Sequence, residues 1–169
     1  MIKMVEMLRQ GIAQLPFFRD LTGDQLARIQ PLLTEERFHA GQVVFDQGHA
    51  ASRLYILVEG QVVIRYKPYD GPPLDVTHVP PGGVFGWSAA LQRQNYTSAA
   101  VAETDSTAYC LSTDALQSLC CQDPQAGAVL LEHLAGVIAE RLRATHAQIL
   151  GLLTQGLDAN GDCGKGETP

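Results

Sequence analysis

The chain has 169 residues, 46% of them hydrophobic and 18% charged, with a formal net charge of −6 and a pI near 5.2. That apolar content supports one folded core and excludes a disordered chain. The acidic balance argues against nucleic-acid binding by bulk electrostatics, and no run approaches the ~18 apolar residues of a membrane span.

At the N-terminus, Glu6 and Arg9 interrupt the stretch that a signal peptide keeps apolar, so a cytoplasmic location is expected. Two short helices are predicted within residues 4–35, from Val5 to Gln14 and from Gly23 to Leu33. Thr22 and Gln25 have the spacing of a capping box, and Leu26, Ile29, Leu32 and Leu33 follow at helical intervals. Pro16 ends whatever helix precedes it.

Near Arg37 the chain changes character, and residues 36–112 read as β structure. Apolar runs (Gln42 to Phe45, Leu54 to Val58, Val62 to Tyr66, Leu74 to Val79) alternate with Gly48, Gly60, Gly71, Gly82 and Gly83. Short β-branched and aromatic runs between turn signals read as strands of a sandwich, roll or barrel. A second block runs from Ser98 to Ser112, with Val101, Ala108 and Leu111 as inward candidates.

Helix returns over residues 113–153. Asp114 to Cys121 makes a short one. Asp123 then caps a long one with Pro124 in its first position, running to about Leu153. At ~1.5 Å per residue, roughly 30 residues span about 45 Å, more than a β-roll needs for packing. Leu131, Leu134, Ile138, Leu142, Ile149 and Leu152 form one stripe, broken by Thr145. The stripe either packs on its own domain or forms the seam of a homodimer, and its length favours the seam. Residues 154–169, with four glycines and Leu157 as the one large apolar residue, read as a disordered tail.

The segment from Gly41 to Val62 runs Gly41-x-x-Val44-x-x-x-Gly48, then Leu54-Tyr55-Ile56-Leu57-x-x-Gly60-x-Val62. Pro81-Gly82-Gly83-Val84-Phe85-Gly86-Trp87-Ser88-Ala89-Ala90-Leu91 follows, and Tyr96-Thr97-Ser98-Ala99-Ala100-Val101-Ala102 leads into a strand. Over about Leu15 to His146 this resembles the cyclic nucleotide-binding domain of the Crp/Fnr superfamily. The resemblance implies an eight-stranded β-roll, mainly β with flanking helices, and a ligand pocket inside the roll. It places a small-molecule site at Phe85, Gly86, Trp87, Ser88, Ala89, Arg93, Tyr96, Thr97 and Ser98. There, Gly86 would let the backbone approach the ligand, and a short helix from Trp87 to about Leu91 would aim N–H groups at a phosphate.

Two side chains complete such a site in the family. A glutamate after the Phe-Gly pair holds the ribose, and an arginine at the next strand grips the cyclic phosphate. Here Trp87 stands at the glutamate position, and Tyr96, or Thr97 with a one-residue slip, at the arginine position. Hydrogen bonds to charged groups contribute ~1.5–3 kcal/mol each, so losing two costs on the order of 3–6 kcal/mol and about two to four decades of affinity. Micromolar cyclic AMP binding should fall to roughly millimolar or weaker. Arg93 is a candidate to rescue the phosphate contact. Trp87 and Tyr96 either line a pocket for a flat or apolar ligand or fill the old pocket.

Other constellations carry less. His39, His49, His78, His133 and His146 lack metal-ligand spacing, and no metal or cofactor is expected. Cys110, Cys120, Cys121 and Cys163 form no Cys-x-x-Cys pair and read as reduced thiols. Asp158-x-Asn160-x-Asp162 imitates a calcium loop, yet Cys163 and Pro169 stand where a glycine and a bidentate acid are required. No nucleophile or phosphate-loop motif appears, so the expected role is regulatory rather than enzymatic. Crp/Fnr transcription regulators carry a helix-turn-helix after the long helix. The glycine-rich residues after Leu153 do not supply one, so DNA binding would need a separate partner.

Overall fold

The computed structural model describes residues 11–160. Residues 11–14 are helical, and the earlier part of the predicted first helix lies outside the described residues. A 3-10 turn follows at Pro16–Phe18, then helix α1 at Gly23–Ile29. The capping box at its start is closed in both directions. The Gln25 N–H donates to Thr22 Oγ1 at 3.3 Å, and the Thr22 N–H donates to Gln25 Oε1 at 2.9 Å.

The predicted helix was to reach Leu33, but α1 stops at Ile29. A 3-10 turn at Gln30–Leu32 carries the chain straight into strand β1, Leu33–Phe38. Pro31 is the reason. It has no N–H to continue the ladder, and it disfavours α geometry in the residue before it. Leu33 therefore pairs with Leu111 in a sheet.

The remaining strands are β2 (Val43–Phe45), β3 (Arg53–Glu59), β4 (Val62–Tyr66), β5 (Leu74–Val79), β6 (Val84–Phe85), β7 (Ala99–Ala102) and β8 (Ser106–Ser112). They form two four-stranded antiparallel sheets, ordered β1-β8-β3-β6 and β2-β7-β4-β5. The block expected from Ser98 to Ser112 is thus two strands, one in each sheet. Polar Glu103, Thr104 and Asp105 make the crossing, with Gln61 of the facing turn donating to Thr104 Oγ1 at 3.0 Å. Gly60 lies in that turn at φ +90°, and a Cβ there would sit within 3 Å of the Asp105 and Ser106 backbone. Only glycine fits such a position.

The two sheets enclose a core built from alternate residues. Phe38, Phe45, Tyr55, Leu57, Val62, Ile64, Val79 and Phe85 all point into it. This is the expected β-roll, with inward residues at period two on β3, β4, β7 and β8.

Helix α2, Thr113–Gln122, starts at Ser112, whose hydroxyl accepts from the Ala115 N–H at 3.2 Å. Helix α3 runs Pro124–Asn160. Asp123 caps it as the sequence suggests, accepting from the Ala126 N–H at 3.1 Å, while its second oxygen pairs with Arg28 at 2.7 Å. Helix continues past Leu153 into the segment read as a tail, and residues 161–169 lie outside the described residues. The chain divides into two compact units between Leu134 and Ala135. In the first unit, Ala126, Leu130 and Leu134 are buried, while Leu131 is 42% exposed. In the second, Ile138 is half-buried and Leu142 is 67% exposed. The Ile149 side chain lies outside the described ones. Among the described residues, no helix is long and apolar enough to cross a membrane, and no group of three acidic, histidine or cysteine side chains is placed to hold a metal.

Candidate functional site

The site implied by the sequence begins where β6 ends. Phe85 is fully buried and pairs with Tyr55 across β3. Gly86 has φ +74°, and a Cβ there would press on the Arg53 carbonyl at 3.0 Å and on the Tyr55 and Phe45 rings at 3.1 and 3.3 Å. Its lack of a side chain thus serves a close approach to the protein's own rings.

The expected short helix from Trp87 to Leu91 is instead a succession of turns over Trp87–Gln92. The Ala89 N–H bonds the Gly86 carbonyl at 3.2 Å, the Leu91 N–H the Trp87 carbonyl at 3.0 Å, and the Arg93 N–H the Ser88 carbonyl at 3.0 Å. Gln92 takes φ 54°, which ends any helical path. Part of the amide set that would face an anion is therefore spent on internal turns. Trp87 is half-buried, Ser88 and Ala89 are buried, and Arg93 and Thr97 are exposed.

Residues 94–96 are laced to the loop between β2 and β3. Gly48 N–H donates to the Tyr96 carbonyl, Tyr96 N–H to the His49 carbonyl, and Ala51 N–H to the Gln94 carbonyl, each at 2.9 Å. Ala50 and Asn95 form an antiparallel bridge between them. This pairing fixes which way Tyr96 faces.

It faces inward. Tyr96 is 5% exposed, and its ring lies on Phe45 with centroids 3.8 Å apart and planes 16° from parallel. Phe45 in turn stacks on Tyr55 at 5.7 Å, and Tyr55 on Phe85 at 5.1 Å. The Tyr96 hydroxyl donates to the Arg53 carbonyl at 2.7 Å and accepts from the Arg53 N–H at 3.1 Å. A buried phenol needs such partners, and here both come from one residue of β3. Burial raises the pKa of Tyr96, so the phenol stays neutral at physiological pH.

The Arg53 guanidinium pairs with Glu36 of β1. Cys110 on β8 lies in the same core, and burial pushes its thiol up to about 11, with Glu36 adding to the rise and Arg53 opposing it. A raised thiol pKa stabilises the fold below the ordinary thiol value, and that contribution is lost as pH climbs toward 11. At pH 8 Cys110 is therefore a protonated, inert thiol. Cys121 is exposed and Cys120 half-buried, all three being free. Thiol reagent at pH 8 should modify Cys121 in the folded protein and reach Cys110 only after denaturation, as peptide mapping by mass spectrometry would show.

The sequence thus placed Phe85, Gly86, Ser88, Ala89 and Tyr96 in one region, and the structure brings them together. Trp87 lies in the same turn. Arg93 and Thr97 stand on its outer side. Phe45, Tyr55 and Arg53 were not anticipated as partners of Tyr96. Their inward parity on β2 and β3 was readable, but their register against residue 96 was not.

The cyclic nucleotide-binding domain family matches residues 35–123, more than half of the chain. The CRP-like cAMP-activated global transcriptional regulator of Mycobacterium tuberculosis is 29% identical over 142 residues, covering 84% of this chain. This chain spans 62% of that relative's length. Among solved structures, a cyclic nucleotide-binding protein from Geobacter metallireducens shares 30% identity with a TM-score of 0.68, covering 81% of this chain and 96% of its own. The regulatory subunit of a cAMP-independent protein kinase A from Trypanosoma brucei has the same fold, with a TM-score of 0.72 at 18% identity over 88% of this chain and 52% of its own. A triple mutant of that subunit, including a threonine-to-arginine replacement, is bound to cAMP in its A site. The matching family, the paired four-stranded sheets and the flanking helices lead to one conclusion: the chain belongs to the cyclic nucleotide-binding domain family and is related to the CRP-like regulators.

Proposed function

We propose that this chain is a regulatory domain whose nucleotide cassette has diverged, so that it does not bind cyclic AMP tightly, and that it signals through α3 as a dimer. The observation carrying the first half is Tyr96. At the position where the family grips the phosphate, an aromatic ring turns inward, stacks on Phe45 and bonds β3. It offers no charge to an anion. Trp87 likewise offers no carboxylate to a ribose. Arg93, the candidate rescuer, is exposed.

A thermal shift tests this. A ligand at its dissociation constant adds only ~0.4 kcal/mol to stability, whereas one at a thousand times that value adds about 4.1 kcal/mol. With 1 mM cyclic AMP the unfolding midpoint should rise by about 1–2 °C. A micromolar binder would move it by about 8–16 °C, and a shift of that size would refute the reading.

Exposed leucines on α3 support the second half. Leu131 and Leu142 stand in solvent at helical spacing on a 37-residue helix, whereas Leu134 is buried in its own unit. Light scattering at micromolar concentration should give a dimer. Replacing Ile138 and Leu142 with aspartate should dissociate it while circular dichroism stays unchanged. A monomeric starting protein would remove this half of the proposal.

A further inference from the structure

The inward face of β1, β8 and β3 turns polar towards one end. Their register sets out three rows. Glu36, Ala108 and Leu57 form the first, Thr34, Cys110 and Tyr55 the second, and Ser112 and Arg53 the third. Phe38 and Tyr55 belong to the roll core, and side chains two apart on a strand share a face, so Glu36 and Arg53 lie on the inward side. The Arg53 guanidinium reaches across the second row to pair with Glu36, and it interacts on the way with the Tyr55 hydroxyl and the Cys110 thiol. The core ends at this row. Tyr55 and Cys110 are buried, whereas the Arg53 side chain is 48% exposed and the Glu36 side chain 27%. Thr34 is exposed beside them. Solvent therefore reaches the guanidinium from the open end of the roll.

An ion pair this exposed contributes little to stability. Apolar residues at these two inward positions would extend the core instead, so packing does not account for the pair. As a binding group, Arg53 is well prepared. The Tyr96 hydroxyl holds its N–H at 3.1 Å and its carbonyl at 2.7 Å, so the side chain springs from a fixed point and loses less freedom on binding. A guanidinium presents five N–H donors in a planar fork, and Glu36 takes one nitrogen of it. Such a fork suits the two oxygens of a carboxylate. Glu36 itself shows what fits: a carboxylate on a short apolar stem.

We propose that Arg53 binds a small carboxylate at the open end of the roll, and that Glu36 is the built-in occupant which the ligand displaces. The ligand class is a monocarboxylate with an apolar or aromatic body. The site uses neither the Trp87–Gln92 turn nor the phosphate position of the cassette, so it stands whether or not cyclic AMP binds.

The test titrates the full chain with sodium benzoate, and separately with sodium phosphate, at constant ionic strength. The backbone amide resonances of Tyr55 and Cys110 report on the site by NMR. Wild type should give a saturable shift with benzoate at a dissociation constant on the order of 10 mM. Glu36→Gln removes the competing carboxylate and should bind about tenfold tighter. Arg53→Lys keeps the charge but loses the fork, and should bind about tenfold more weakly than wild type. Circular dichroism establishes that each variant folds. No saturation in the wild type up to about 100 mM benzoate would overturn the proposal. So would a Glu36→Gln protein that binds no tighter, or an Arg53→Lys protein that binds as well as wild type. Phosphate saturating at least as readily as benzoate would overturn the carboxylate class.

Discussion

Tyr96→Ala should destabilise the fold by about 3–5 kcal/mol, the largest loss expected from one truncation at the cassette. Removing a buried aromatic side chain costs that much through lost transfer energy and the cavity left behind. The site has little freedom to collapse, because Gly48, His49 and Ala51 hold the backbone of residues 94–96 in place. Phe45 loses its nearest ring, and the Arg53 N–H and carbonyl lose the hydroxyl. Tyr96→Phe separates the contributions. It keeps the ring and deletes only the hydroxyl, so it should cost about 1–2 kcal/mol. Urea unfolding checks both. Equal losses for the two variants would mean that the ring is not part of the core. A loss below about 1 kcal/mol for Tyr96→Ala would mean that the ring does not fill the roll.

The second large effect concerns affinity. Replacing Trp87 with glutamate and Tyr96 with arginine should raise cyclic AMP affinity by two to four decades, the sum of two charge-assisted contacts at ~1.5–3 kcal/mol each. The pair acts in two ways. It supplies the carboxylate and guanidinium that the family uses, and it removes the ring from the interior. The other register offers the control. Trp87→Glu with Thr97→Arg places an arginine on an exposed position and leaves the Tyr96 ring seated. That protein should bind little better than the wild type. Equal gains in both would show that charge alone was missing and that the ring does not obstruct the site. Circular dichroism and urea melts establish that each variant folds before it is titrated.

Much of this architecture was legible because it rests on local chemistry. The Thr22–Gln25 box, the Asp123-Pro124 helix start and the turn glycines each specify a backbone state without help from distant residues. The strands Val62–Tyr66 and Leu74–Val79 were readable from their apolar runs and flanking turns. The errors arose where tertiary pairing decided. Leu32 and Leu33 continue a helical period, yet Pro31 frees Leu33 to pair with Leu111. The strand Val84–Phe85 is two residues long, too short to show any period. The same limit applies to the site. The resemblance put the usual arginine position at Tyr96 or, with a one-residue slip, at Thr97, and an aromatic at 96 is compatible with either lining a pocket or filling it. Only the register of the loop around His49 against the loop around Asn95 turns the ring inward onto Phe45.

The central claim is that the cassette lacks its two charged anchors and that Tyr96 occupies the interior. Calorimetric titration of the wild-type protein with cyclic AMP tests it most directly. The account predicts no saturable heat below about 1 mM nucleotide. A saturable isotherm with a micromolar dissociation constant would contradict it.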